Sequence, residues 1–386
     1  MKEINEIINA FDKAQAEGKQ IALVTLVHVD GSSYRRPGAR MLVTDTGELT
    51  GAISGGCLEG DALNKALRSI HQQKNILVTY DTTDEDDAVM GLGLGCNGVI
   101  QVLIQPVNND QKNGPVQVLK KIVADRKDNL LVTLFSLDSR KAEQPGTVML
   151  KNDEEIKYFG EVDASISEML EHDVDIAFGN KKSSFKNYKI GGKELTAYIE
   201  FIPPAISLVI VGAGNDAAPV VSMASTLGWQ VTLIDDGRDK NTKIGRFTGS
   251  CQLMVVKPED VLKNISPDDN TFFLLMTHNY NYDKAMLREL LPKQVRYVGV
   301  LGPAKKMQRM LSELESEGCF FSEQQLAAVH SPVGLDIGAE SPEEIALSMI
   351  AEVKAVMAGK TGRPLRDNGD VIHPRNETTI ETRSAL

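Results

Sequence analysis

Residues 208–219 read LVIVGAGNDAAP, an apolar run that breaks into glycines and then resumes as a helix-like pattern. Few sequence features limit a fold so tightly. Gly212, Gly214 and Ala217 stand in G-x-G-x-x-A spacing at a strand-to-helix turn, where glycine lets a backbone approach a phosphate and the helix start offers free amides. Asp235 ends the next strand-like run, 23 residues after Gly212, where an acid can accept hydrogen bonds from ribose hydroxyls. Around this turn strands and helices alternate. Runs at 208–211, 231–235, 252–256, 271–276 and 297–301 read as strands, and runs at 216–227, 282–291 and 304–315 read as helices. That rhythm predicts an open parallel sheet of Rossmann type with covering helices. Ser341-Pro342-Glu343-Glu344 then has the capping-box spacing of a last long helix. Asp235 and Asp236 also fit a solvated turn before Gly237. His278 lies at the carboxyl end of a strand, on the side where such sheets bind ligands; it reads equally as a proton shuttle or as a loop histidine with a structural hydrogen bond.

The first half follows a different pattern. Apolar residues Ile4, Ile7, Ile8 and Phe11 make a helical stripe, and strand-like runs follow at 21–29, 40–44 and 49–54. Helical spacing returns from Leu58 to His71, followed by strands at 76–80 and 99–105 with the run MGLGLGCNG between them. Beyond a polar stretch at 108–113, the pieces LLVTLFSL, GTVMLK and LTAYIEF predict an antiparallel, β-rich extension of the same domain. Pro203-Pro204 marks the boundary, since neither proline can donate to a ladder. The fold class expected is therefore α/β: an N-terminal α+β domain with a mixed or antiparallel sheet over 1–203, extended from about 108, and a Rossmann-like domain over 204–358. A loose polar tail over 359–386 completes the chain.

The N-terminal loop GSSYRRPGARM gathers Ser32, Ser33, Arg35, Arg36 and Arg40, and arginine forks with hydroxyls suit a planar or anionic ligand, phosphate above all. An exposed basic loop without a ligand is the alternative. Cys57, in GAISGGCLEG, falls at the start of a predicted helix, where backbone amides can make a thiol a soft ligand or nucleophile. Cys96, in the second glycine-rich loop, has a weaker form of the same claim. Each cysteine also reads as a small buried hydrophobe. The four cysteines form neither a disulfide framework nor CxxC pairs, and the six histidines lack metal-ligand spacing. A net charge of -11 argues against nucleic acid or an anionic membrane surface as partner. With no run of about 20 apolar residues and an acidic start, the expected location is the cytoplasm.

Taken together, GSSYRRPGARMLV, GAISGGCLEGD, MGLGLGCNGVIQVLIQP, VGAGNDAAPVV, MTHNYNYD, YVGVLGPAKK and VGLDIGAESPEEIALSMIAEV resemble the XdhC/CoxI family of molybdenum-enzyme accessory proteins. The resemblance implies a chaperone without turnover of its own. Such a protein binds molybdenum cofactor (molybdopterin), supports exchange of its oxo ligand for sulfur with a cysteine desulfurase, and hands it to xanthine dehydrogenase or a related molybdenum hydroxylase. It implies cofactor contacts from Ser32, Ser33, Arg35, Arg40, Gly55, Gly56, Cys57, Glu59 and Cys96, with Cys57 meeting the molybdenum. In the second domain it implicates Gly212, Gly214, Asn215, Asp235 and His278. Two departures matter: Asn215 stands where many relatives have histidine, and Asp235-Asp236-Gly237-Arg238 where they have Asp-His-Arg. The rival readings are an NAD(P)-dependent oxidoreductase, for which only His278 offers a catalytic group, and a nucleotide-sensing regulatory protein. A homodimer is expected if two domains close over a large ligand. The chain holds no iron-sulfur cysteine set, flavin-domain sequence or large molybdenum domain of its own.

Overall fold

The computed structural model describes residues 1–81, 98–108, 113–160, 162–190, 192–235, 237, 247, 251–368 and 381–384. The chain divides into two compact units, Met1–Pro204 with Arg375–Leu386, and Ala205–Pro374.

The first unit contains two sheets. One has the order β3-β2-β1-β5-β4, built from β1 (Ile21–Gly31), β2 (Arg40–Thr44), β3 (Leu49–Gly51), β4 (Ile76–Asp81) and β5 (Gly98–Val107). All its pairings are antiparallel. Because successive side chains alternate across a strand, β1 sends Ile21 and Leu23 to a core shared with α1 (Lys2–Ala16), and Ala22, Val24 and Leu26 to one shared with α2 (Glu59–Gln72). Both faces of the sheet are therefore covered. That explains why six of the seven residues in IALVTLV are apolar, with each fully buried Val, Leu or Ile side chain contributing about 1.5–3 kcal/mol.

The second sheet has the order β17-β9-β10-β6-β7-β8. Its strands are β6 (Asn129–Phe135), β7 (Gly146–Lys151), β8 (Ile156–Tyr158), β9 (Ser184–Ile190), β10 (Lys193–Ile202) and β17 (Glu381–Ser384). The three expected strands are present as β6, β7 and β10, but the extension is not purely β. Helix α3 (Pro115–Ala124) packs beside α1, and α4 (Ala164–Asn180) covers the second sheet with Ile166, Leu170, Val174 and Ala177. The tail also differs from the expected loose segment, since β17 pairs in parallel with β9 at the edge of this sheet.

The second unit is a six-stranded sheet, all parallel, in the order β13-β12-β11-β14-β15-β16. Its strands are β11 (Ser207–Val211), β12 (Gln230–Asp235), β13 (Cys251–Val255), β14 (Thr271–Leu275), β15 (Val298–Val300) and β16 (Val329–His330). Counted from β11 this is the 3-2-1-4-5-6 order of a Rossmann sheet, with the switch point between β11 and β14. Helices α5 (Ala217–Thr226) and α10 (Pro342–Met357) pack on one face. On the other lie α7 (Tyr280–Leu290) and α8 (Ala304–Ser316), with the short α6 (Pro258–Asn264) and α9 (Glu323–Ala327). Ser341 and Glu344 form the expected capping box at α10.

Candidate functional site

In the first unit three glycine-containing segments meet at one end of the first sheet. Gly31 ends β1 opposite Gly98 of β5. A β-carbon on Gly98 would lie 2.7 Å from the Ser32 nitrogen, so only glycine lets the GSSYRR loop leave the sheet here. Tyr34 is 72% exposed and rests its ring over Gly55, 3.6 Å from where a β-carbon would stand. Gly56, at φ +110°, turns the chain toward α2.

Cys57 is a half-buried free thiol two residues before α2, with its Sγ 3.5 Å from Ser54 Oγ. Glu59 shapes this turn. Its Oε1 accepts from the Ile53 and Ser54 amides (3.2 and 2.8 Å), and its Oε2 from the Leu58 amide (3.2 Å) and the Ser54 hydroxyl. Ser54 Oγ in turn accepts from the Gly56 and Leu58 amides. Burial acts to raise the Glu59 pKa, but the Ser54 hydroxyl and the turn's amides outweigh it and hold the carboxyl below its ordinary value. Glu59, expected among the cofactor contacts, has both oxygens committed to the turn.

Arg40, also expected at the site, is drawn inward. Its side chain is 3% exposed, paired through both terminal nitrogens with Glu200 of β10 and donating to Gly38 O at 2.7 Å. Its guanidinium is thus matched by a carboxylate of the protein's own. Arg35, partly exposed, pairs with Glu3 of α1, whose other oxygen accepts the Arg40 amide. Ser32 is exposed, and Ser33 Oγ is buried without a partner. Cys96 lies outside the described residues.

In the second unit the switch point brings Gly212, Asp216 and His278 together. Gly212, at φ +122°, passes so close to the chain after β14 that a β-carbon would stand 2.6 Å from the Met276 carbonyl carbon. His278 Nε2 lies 2.7 Å from Asp216 Oδ2. The backbone beneath is held by a buried network: Thr277 Oγ1 donates to Asp283 Oδ1 (2.6 Å), and Lys306 donates to Asp283 Oδ2 (2.7 Å). Asp283 is completely buried. Asn215 is exposed, whereas Asp235 is buried and accepts the Gly237 amide at 3.1 Å.

Asp216, Asp283 and Lys306 are absent from the sequence expectation, because each acquires its role from a partner brought near by the sheet. The same holds for Glu352 of α10. Its Oε2 accepts from Tyr297 (2.6 Å) and the Gly334 amide (2.9 Å), its Oε1 lies 3.2 Å from His330 Nδ1, and together these tie down the loop before α10. Among the described residues no group of three or more His, Cys, Asp or Glu is placed to hold a metal ion, and no helix is long and apolar enough to cross a membrane.

Comparison with known proteins adds independent information. Residues 208–353 match the sequence model of the XdhC Rossmann domain, and residues 14–81 match that of the XdhC and CoxI family. A Bacillus subtilis protein named as a probable xanthine dehydrogenase subunit is 28% identical over 343 residues, covering 89% of this chain and 94% of the relative. The molybdenum cofactor insertion chaperone PaoD of Escherichia coli is 23% identical over 344 residues, covering 89% and 86%. A crystal structure described as a xanthine dehydrogenase from Bacillus halodurans superposes with a TM-score of 0.73 at 28% identity, covering 95% of this chain and 99% of that one. Carrying the N-terminal signature and the Rossmann domain in the same order, this chain belongs to the XdhC and CoxI family.

Proposed function

We propose that the protein is a maturation chaperone that binds molybdenum cofactor as cargo, supports its sulfuration together with a cysteine desulfurase, and delivers it to xanthine dehydrogenase or a related molybdoenzyme. The observation that carries this reading is the meeting of the Ser32–Arg35 loop, the Gly55–Cys57 turn and Gly98 around one accessible thiol. A thiolate is a soft donor suited to molybdenum or its sulfur ligand. Bare glycine backbone leaves room for a bulky dithiolene, and the orphaned Ser33 hydroxyl is a hydrogen-bonding group without a partner. With Arg40 engaged by Glu200, the cargo's phosphate falls to Arg35, which would exchange Glu3 for it. The similarity to a molybdenum cofactor insertion chaperone supports the same reading.

As a carrier the protein needs no catalytic acid or base, and the neighbouring Glu59 carboxylate is committed to the turn. A cytoplasmic location and a homodimer accompany the proposal. The dehydrogenase and sensor readings draw support only from the Rossmann strand order, an architecture that also serves as plain scaffold.

The test is retention of isolated molybdenum cofactor under argon, with bound molybdenum and pterin measured after removal of free ligand. Wild type is expected to retain both, and Cys57→Ala to retain at least about tenfold less, the loss of a single metal–ligand interaction worth about 1.4 kcal/mol or more. Equal retention by folded wild type and Cys57→Ala would remove the thiol from the site. Absence of retention by either would end the chaperone reading.

A further inference from the structure

We infer that the second unit turns phosphates away, because the protein's own Asp216 carboxylate occupies the seat where a Rossmann turn takes a dinucleotide's pyrophosphate. In such a turn the second glycine leaves the backbone bare so that a phosphate can approach. Here the space beside Gly214 is taken by Asp216, and a β-carbon on Gly214 would stand 2.6 Å from Asp216 Oδ1. That oxygen is buried and has no hydrogen-bond partner. Two amides at the start of α5 are engaged as well: Ala217 N donates to Gly214 O at 3.2 Å and Ala218 N to Asn215 O at 3.4 Å. A phosphate entering here would meet a fixed negative charge, opposing the usual attraction of a helix N-terminus for anions.

The carboxylate is clamped. A carboxylate only accepts, so His278 Nε2 donates across the 2.7 Å contact to Asp216 Oδ2. His278 holds φ +53°, a left-handed conformation uncommon for a residue with a side chain. Two bonds to Thr277 fix the chain there: Asn279 N donates to Thr277 Oγ1 at 3.0 Å, and Thr277 Oγ1 is anchored on the Asp283–Lys306 pair. The strained histidine and the unoccupied carboxylate oxygen are consistent with a locked arrangement. With Asp235 closed onto the Gly237 amide, the ribose side is also partly committed. What the switch point offers a ligand is the imidazole edge of His278, whose side chain is 68% exposed. The class of ligand that fits beside the Asp216 carboxylate is uncharged or cationic. Asp216 is thus the residue that sets specificity, and the inference stands whether or not the first unit carries molybdenum cofactor.

The experiment titrates the full chain with NADH, ADP and inorganic pyrophosphate by calorimetry, for wild type, Asp216→Asn and Asp216→Ser, with far-ultraviolet circular dichroism confirming the fold. Wild type is expected to bind each more weakly than about 1 mM. Both variants are expected to gain at least about tenfold, since each removes a charge within a few ångströms of the incoming phosphate. The gain should extend to pyrophosphate, which has no base or ribose, and this separates the phosphate seat from a general nucleotide pocket. Saturable micromolar binding of NADH by wild type would overturn the inference, as would folded variants that gain nothing.

Discussion

Glu200→Ala is expected to destabilise the first unit by about 3–5 kcal/mol, because it leaves the Arg40 guanidinium buried without its counter-charge. Burial acts to depress the Arg40 pKa, and the Glu200 carboxylate reverses that, so the net direction is upward. The pair also sits under the loop that opens the candidate site: Arg40 donates to Gly38 O, and Gly38, at φ +94°, approaches the Glu200 carboxylate so closely that a β-carbon would be 3.0 Å from its Cδ. Urea unfolding should show an early transition from the first unit with that of the second unchanged. Replacing both partners with apolar residues, Arg40→Met with Glu200→Leu, should recover most of the loss, since a buried pair is costly to break but far less costly to replace. A loss below about 1 kcal/mol in Glu200→Ala would show instead that water reaches Arg40 and compensates it.

That pair also shows where sequence reading reaches its limit. Arg40 stands among hydroxyls and arginines in a polar loop, and nothing local distinguishes a ligand-binding arginine from one that packs inward. The difference is made by Glu200, 160 residues away. Asp216 and His278, 62 residues apart, pose the same problem, as local spacing carries no record of partners joined by sheet topology. By contrast, most of the parallel sheet was legible because residues 208–211 and 272–275 are continuous apolar runs and helical periods follow β11, β14 and β15. The two-residue β16 is too short to leave a pattern. The glycine turns were legible because backbone that must pass within van der Waals contact of other backbone admits no other residue. Helix α4 escaped notice although Ile166, Leu170, Val174 and Ala177 repeat at helical spacing. Asp173 interrupts the stripe, yet it is buried and accepts from the Tyr188 hydroxyl at 2.9 Å. A carboxylate held inside the core by a tyrosine hydroxyl and the nearby Lys186 ammonium imitates an exposed position in the sequence.

Glu59→Gln is expected to open the turn that carries Cys57. The carboxylate accepts four hydrogen bonds, two at each oxygen. An amide keeps one acceptor oxygen and turns an NH2 group toward donors, so two bonds are lost and a donor faces a donor. A cost of about 2 kcal/mol to the first unit follows from the worth of hydrogen bonds to a charged group. The effect on cargo retention should resemble that of removing the thiol itself, because the Ser54–Glu59 network fixes the backbone on both sides of Cys57. Folding holds the Glu59 carboxyl below its ordinary value of 4.5, so its contribution is fully present above that value and disappears as pH falls through the lower, folded value. Wild type should therefore lose urea resistance on acidification through this window more steeply than Glu59→Gln, which has no proton to take up at that position. Parallel acid profiles for the two proteins would mean that the turn does not depend on the charge, and that the four donors are satisfied equally well by a neutral acceptor or by water.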